Sequence, residues 1–274
     1  MTTMEAMAAR EMLYRIPGMD AVAVERGVTY AERDGEALPF DLYRLPGGAS
    51  VERVPLVVVV AGFPDPGMRR IFGRPFRDTG AVTSWCRLLA ASGLAAVAYE
   101  NRQPQEDLHA LLAFLQGEGG ARALAASGVD GSRLGLWATS GNAPLALGVA
   151  IDLPVSCLAL AYPYTLDLEG TTTVADAARA WGFANGAAGR AAEDLPGEMP
   201  LLLVRAGRDQ FAGLNDALDR LVLAGLRRNL PLTLLNLPEA PHAFDLEQDG
   251  EPARRTIRRI LTFFRESLIG PVGE

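Results

Sequence analysis

Ser140 lies in Leu134-Gly-Leu-Trp-Ala-Thr-Ser-Gly-Asn-Ala-Pro-Leu145, between a short apolar run and a helical pattern entered through Ala143-Pro144. A serine at the tip of a strand–turn–helix is the arrangement of a nucleophile elbow. The strained turn lifts Oγ above the sheet and leaves the next N–H free to meet an oxyanion. The elbow is usually written G-x-S-x-G. Here it is Ala138-Thr139-Ser140-Gly141-Asn142, so both outer glycines are replaced. Ala138 keeps its position small, whereas Asn142 is bulkier, although Asn tolerates unusual backbone angles better than most residues. Taken alone, the stretch fits a helix N-cap equally well, since Ser is among the preferred caps.

A serine nucleophile needs a base, usually histidine. The chain has two. His109 falls inside the helical pattern Glu106 to Gln116, which suits a surface or half-buried role. His242 follows a strand-like run, in Pro238-Glu-Ala-Pro-His-Ala-Phe244, and is the favoured base. The base in turn needs an acid to fix its tautomer. Asp209 follows the run Leu201 to Ala206 through Gly207-Arg208, which gives the chain order Ser, Asp, His. Asp167, after the preceding strand, is the runner-up. The competing readings are a loop histidine without function and an Asx-turn or N-cap aspartate. An oxyanion is met by two backbone N–H groups. Gly141 would supply one. Phe63, in Ala61-Gly-Phe-Pro64 after the first buried run, would supply the other.

These residues need a scaffold that brings strand ends together. Residues up to about Pro17 read as a short helix or arm. Ala21 to Tyr30 and Leu38 to Leu45 flank Asp34-Gly35, a strong hairpin signal, and Pro46-Gly-Gly48 closes that pair. Pro55-Leu-Val-Val-Val-Val-Ala61 is a continuous apolar run of the kind buried on both faces of a parallel sheet. Gly62 to about Gly80 reads as irregular throughout, the form an active-site wall often takes. Helical and strand patterns then alternate: helix Thr83 to Ser92, strand Leu94 to Tyr99, helix Glu106 to Gln116, strand Leu134 to Ala138, helix Ala143 to Ala150, strand Val155 to Tyr162. Thr165 to Pro200 breaks the rhythm and reads as an insertion that could cover a pocket. Strand Leu201 to Ala206, helix Gly213 to Arg228, strand Leu232 to Leu237 and helix Glu251 to Leu268 complete the chain. The alternation predicts an α/β fold: a mostly parallel doubly wound sheet with an antiparallel N-terminal edge and a small insertion after the sixth strand. One domain over residues 1–274 is expected, with the insertion at about 165–200. In such folds ligands bind beyond the carboxyl ends of the strands, where the candidate residues fall.

Composition narrows the partners. At 274 residues and 49% hydrophobic the chain can bury a sizeable core. Its net charge of -7, with no long basic run, disfavours nucleic acid and anionic membranes. Cys86 and Cys157 lie in apolar segments and read as buried thiols. No metal-ligand spacing is visible, and no cofactor is expected. The apolar span from Pro144 to Tyr164 is broken by Asp152 and Pro154, so it divides into a helix and a strand. Acidic residues interrupt the N-terminal stretch, so a cytoplasmic protein is expected. The oligomeric state is left open between monomer and homodimer.

The segments Val60-Ala-Gly-Phe-Pro64, Trp137-Ala-Thr-Ser-Gly-Asn142, Arg205-Ala-Gly-Arg-Asp209 and Pro241-His-Ala-Phe244 resemble those of the α/β-hydrolases, in particular the dienelactone-hydrolase-like and peptidase-like esterases. The resemblance covers about Pro55 to Leu268. It implies a serine hydrolase with Ser140, Asp209 and His242 as triad, Phe63 and Gly141 as oxyanion donors, and a small-molecule ester as substrate. Two positions depart from many relatives: Ala61 stands where they carry His, and Asn142 where they carry Gly. Dienelactone hydrolases proper use cysteine where this chain has Ser140. An acyltransferase with the same triad, or a catalytically silent domain used for binding, are the alternatives. Met68, Ile71, Phe72, Phe76, Tyr162, Tyr164, Trp181 and Phe183 are candidate pocket linings, and Arg69 and Arg70 candidate contacts for an acidic substrate.

Overall fold

The structure, a computed structural model, describes residues 3–46 and 53–270. In chain order it forms α1 (Thr3–Ala8), β1 (Ala23–Arg33), β2 (Glu36–Arg44), β3 (Val54–Val59), α2 (Asp65–Phe72), α3 (Gly80–Ala91) and β4 (Ala95–Tyr99). Next come α4 (Pro104–Gln116), α5 (Glu118–Ala125), β5 (Val129–Thr139), α6 (Ala143–Asp152) and β6 (Cys157–Ala161). The chain closes with α7 (Thr173–Trp181), β7 (Leu201–Ala206), α8 (Leu214–Arg227), β8 (Leu232–Leu237), α9 (Phe244–Glu247) and α10 (Glu251–Ile269). Of the closing Pro46-Gly-Gly48, only Pro46 lies within the described residues.

The eight strands make one sheet in the order β1-β2-β4-β3-β5-β6-β7-β8. β2 pairs antiparallel with both β1 and β4, and every other pairing is parallel. The hairpin turns through Asp34 and Gly35, both at positive φ (53° and 76°), the geometry that an Asp-Gly type I′ turn requires. Strand alternation builds two separate cores. Leu56, Val58, Leu134, Leu136, Leu158, Leu160, Leu201 and Leu203 face one side, with α4 and α6 residues packed on them. Val57, Val59, Trp137, Ala159, Ala161, Leu202 and Val204 face the other, under α3 and α10. A central strand buried on both faces has no polar side, which is why β3 reads as an unbroken apolar run. Helix α6 is buried from Ala143 to Ala150. Together with β6 it accounts for the long apolar span, and among the described residues no helix is long and apolar enough to cross a membrane. Cys86 and Cys157 are free and buried.

One expectation needs correction. Residues 62 to 80 are not irregular throughout: α2 occupies Asp65–Phe72 and a 3-10 turn Phe76–Asp78. Pro64 and Pro66 read as breakers, but Pro64 is the N-cap and Pro66 sits in the first turn. There the missing N–H would have had no intrahelical acceptor. The segment 165–200 carries α7 and a 3-10 turn of its own, Ala192–Asp194.

Candidate active site

The parallel strands end at one edge of the sheet, and each adds something there. Ala61 to Phe63 follow β3, Asn101 follows β4, Ser140 follows β5, Tyr162 follows β6, Asp209 follows β7 and His242 follows β8. Ser140 has φ of 53°. A non-glycine residue held in the left-handed region costs on the order of 1–3 kcal/mol and persists only where its surroundings enforce it. The N-cap of α6 is Asn142, with ordinary helical angles (φ -82°, ψ -18°), so Ser140 is not the cap. Asn142 therefore needs no unusual backbone. The position that needs room is Gly141, where a Cβ would come 2.6 Å from the Phe183 ring.

His242 Nε2 lies 2.9 Å from Ser140 Oγ, and His242 Nδ1 lies 2.6 Å from Asp209 Oδ2. With Nδ1–H donating to the carboxylate, Nε2 is left to accept from the Ser140 hydroxyl. The Asp209 side chain is fully buried and that of His242 is 11% exposed, so the pair is shielded from solvent. Asp209 Oδ1 also accepts the Phe211 N–H at 2.9 Å, which fixes the carboxylate plane. Two rings hold the imidazole: Phe211 edge-on at 4.5 Å between centroids and Tyr162 at 4.7 Å. The less favoured base and the runner-up acid lie elsewhere. His109 contacts the Gln105 carbonyl and Asp152 on the outer side of α4. Asp167 accepts the Val174 and Ala175 N–H groups, capping α7.

The Ala61-Gly62-Phe63 loop is tied on nearly every side. Ala61 N–H donates to the Tyr99 hydroxyl (3.2 Å) and Gly62 N–H to Asn142 Oδ1 (2.7 Å). The Gly62 carbonyl accepts from Ala184 N–H at 2.8 Å. Asn101 Nδ2 donates to the carbonyls of both Ala61 (3.1 Å) and Phe63 (3.2 Å). Of the six main-chain polar groups in these residues, only Phe63 N–H has no partner among the described residues. Gly141 N–H stands in the first turn of the 3-10 segment Ser140–Asn142, where helical geometry offers no acceptor. Gly62 permits this close approach: a Cβ there would come 2.9 Å from Asn142 Cα.

Sequence reasoning passed over the groups that hold these. Asn101 is 1% exposed, and its own N–H donates to Asp65 Oδ2 at 2.8 Å. Asp65 Oδ1 accepts the Phe76 N–H, and burial pushes the Asp65 carboxyl up to about 6. On the other side of the site, buried Asp245 accepts from Trp85 Nε1 (2.8 Å) and the Tyr162 hydroxyl (2.7 Å). Burial raises the Asp245 carboxyl above its ordinary range and the two donors oppose that rise. A search for polar residues of any kind at strand ends would have found Asn101. Among the predicted linings, Phe76 and Tyr162 border a cavity beside Ser140, whereas Ile71 and Trp181 are exposed. Arg69 is paired with Glu100. No cluster of three or more potential metal-ligating side chains occurs among the described residues.

No protein-family model matches the chain, and no curated protein sequence is significantly similar to it. Solved structures do match in shape. A bacterial heroin esterase superposes with a TM-score of 0.63 at 18% identity, over 91% of this chain and 86% of that one. A thermostable esterase from Pseudomonas putida gives 0.68 at 16% identity, over 96% and 88%. Brefeldin A esterase, described as a bacterial homologue of human hormone-sensitive lipase, gives 0.68 at 15% identity, over 96% and 82%. Together with the sheet order, this likeness shows that the chain has the α/β-hydrolase fold.

Proposed function

We propose that the chain is a serine hydrolase acting on carboxylic esters, with Ser140 as nucleophile, His242 as general base and Asp209 as its orienting acid. The observation that carries this reading is the hydrogen-bonded series Asp209–His242–Ser140, at 2.6 and 2.9 Å, ending on a serine held at φ 53°. The esterase names of its structural neighbours agree with it.

Ser140 Oγ attacks the ester carbonyl as His242 Nε2 takes its proton. The buried Asp209 carboxylate stabilises the imidazolium that forms. Phe63 and Gly141 N–H groups receive the oxyanion, in a loop whose other polar groups are already engaged and need not reorganise. His242 then protonates the departing alkoxide, and water activated by the same imidazole releases the acid from the acyl-enzyme. Residues of the segment 165–200 close one side of the site, with Phe183 against Gly141 and Ala184 bonded to Gly62. The steps draw on the chain's own groups and water, and the substrate is a small-molecule ester. The test is hydrolysis of p-nitrophenyl acetate: activity in wild type and none in Ser140→Ala supports the reading, and equal rates in both would end it.

A further inference from the structure

The structure carries a cavity of about 160 Å³ that Ser140 and His242 both line. Its other walls are mostly apolar: Val59, Phe76, Val82, Trp85, Trp137 and Leu246. Asp245 and Tyr162 also border it, but the Trp85 and Tyr162 donors both point to the Asp245 carboxyl, so these polar groups satisfy one another. Larger clefts, of about 480, 350 and 570 Å³, lie elsewhere and include neither Ser140 nor His242. An apolar protein cavity of about 150 Å³ takes up benzene, a six-carbon guest. The cavity beside Ser140 is therefore large enough for one short apolar group and too small for a long chain.

We propose, building on the serine-esterase reading, that this cavity is a size-limiting subsite for one substituent of the ester. It admits an apolar group of up to about six carbons, branched, linear or phenyl-sized. The substituent can enter as the acyl chain or as the leaving alcohol, since both branch from the carbon that Ser140 attacks. Trp85 and Trp137, 3% and 1% exposed and packed at 4.4 Å between ring centroids, are among its most buried walls. Phe76, Ala81 and Leu246, also lining it, are partly exposed. The class of substrate that follows is an ester with at least one short or compact apolar branch.

Two substrate series test this. In one, p-nitrophenol is fixed and the acyl chain lengthened; in the other, acetyl is fixed and a linear alcohol lengthened. The expected result is a fall of roughly tenfold or more in kcat/KM, in one of the two series, once the varied branch exceeds about six carbons. Ala81→Leu and Val82→Phe place three or four more side-chain carbons in the cavity, so each should lower that limit by about three carbons. Fluorophosphonate labelling of each protein verifies a folded, competent site. Wild type that labels and hydrolyses with no length limit in either series overturns the subsite and leaves the esterase reading standing. A limit unmoved in a labelled Ala81→Leu protein overturns it equally. Folded wild type that neither labels nor hydrolyses overturns the esterase reading and, with it, the subsite.

Discussion

Ala61-Gly62-Phe63 after β3 is held by hydrogen bonds at five of its six main-chain polar groups, whereas His242 after β8 is held by one carboxylate and two aromatic rings. On the proposed serine-hydrolase reading, the difference follows from what each must deliver. A main-chain N–H has no rotamer of its own, so it can be aimed only by fixing the peptides on either side. A side-chain base must keep its orientation yet move between Ser140 and a leaving group. Ring packing restricts tilt without tying the nitrogen that exchanges protons.

Breaking the histidine side should have the largest effect. His242→Ala is expected to lower kcat on the order of 10⁵-fold or more, and Asp209→Asn on the order of 10⁴-fold, in steady-state ester hydrolysis. A decrease of only a few-fold in either would remove that residue from the triad. The loop side should respond more gently and in a different parameter. Asn101→Ala frees the Ala61 and Phe63 carbonyls together, so kcat should drop about 10- to 100-fold with KM little changed. A rise in KM with kcat intact would instead make Asn101 a binding group.

Asp65 tests the same frame through pH. Its carboxyl sits at about 6 in the fold against an ordinary value of 3.8. Between these values the folded state holds more protons, so this group's contribution is fully present below pH 3.8 and is lost as pH rises through 6. The loss is at most roughly 3 kcal/mol. Urea unfolding of Asp65→Asn should accordingly fall less steeply than wild type between pH 4 and 7, and parallel curves would contradict the assignment. The smallest effect is expected at the ring contact. Phe211→Ala should lower kcat about 2- to 10-fold, the worth of one aromatic pair, and an unchanged rate would assign the hold on His242 to Asp209 and Tyr162.

The two regions also differ in how far the sequence points to them. Ser140, Asp209 and His242, which the structure brings within hydrogen-bond reach, combine a reactive residue type with a place just after an apolar run, so type and position point together. The proposed oxyanion donors Gly141 and Phe63 follow from those positions. Asn101 shares the place after a strand but not a reactive residue type, and its two acceptors lie about forty residues earlier in the chain. Asn142 read as an intrusion into the elbow because its partner, the Gly62 N–H, is 80 residues away. Helix α2 was hidden by prolines whose effect depends on whether they fall in a first turn or an interior one. For Asn101 and Asn142, burial and long-range pairing decide, and neither is written in local composition.

The central claim is that Ser140 is an activated nucleophile. Fluorophosphonate labelling with the modified peptide identified by mass spectrometry tests it most directly. Stoichiometric modification of Ser140 in wild type, abolished in Ser140→Ala and strongly slowed in His242→Ala, is the predicted result. Labelling at another residue, or none in folded wild-type protein, would contradict it.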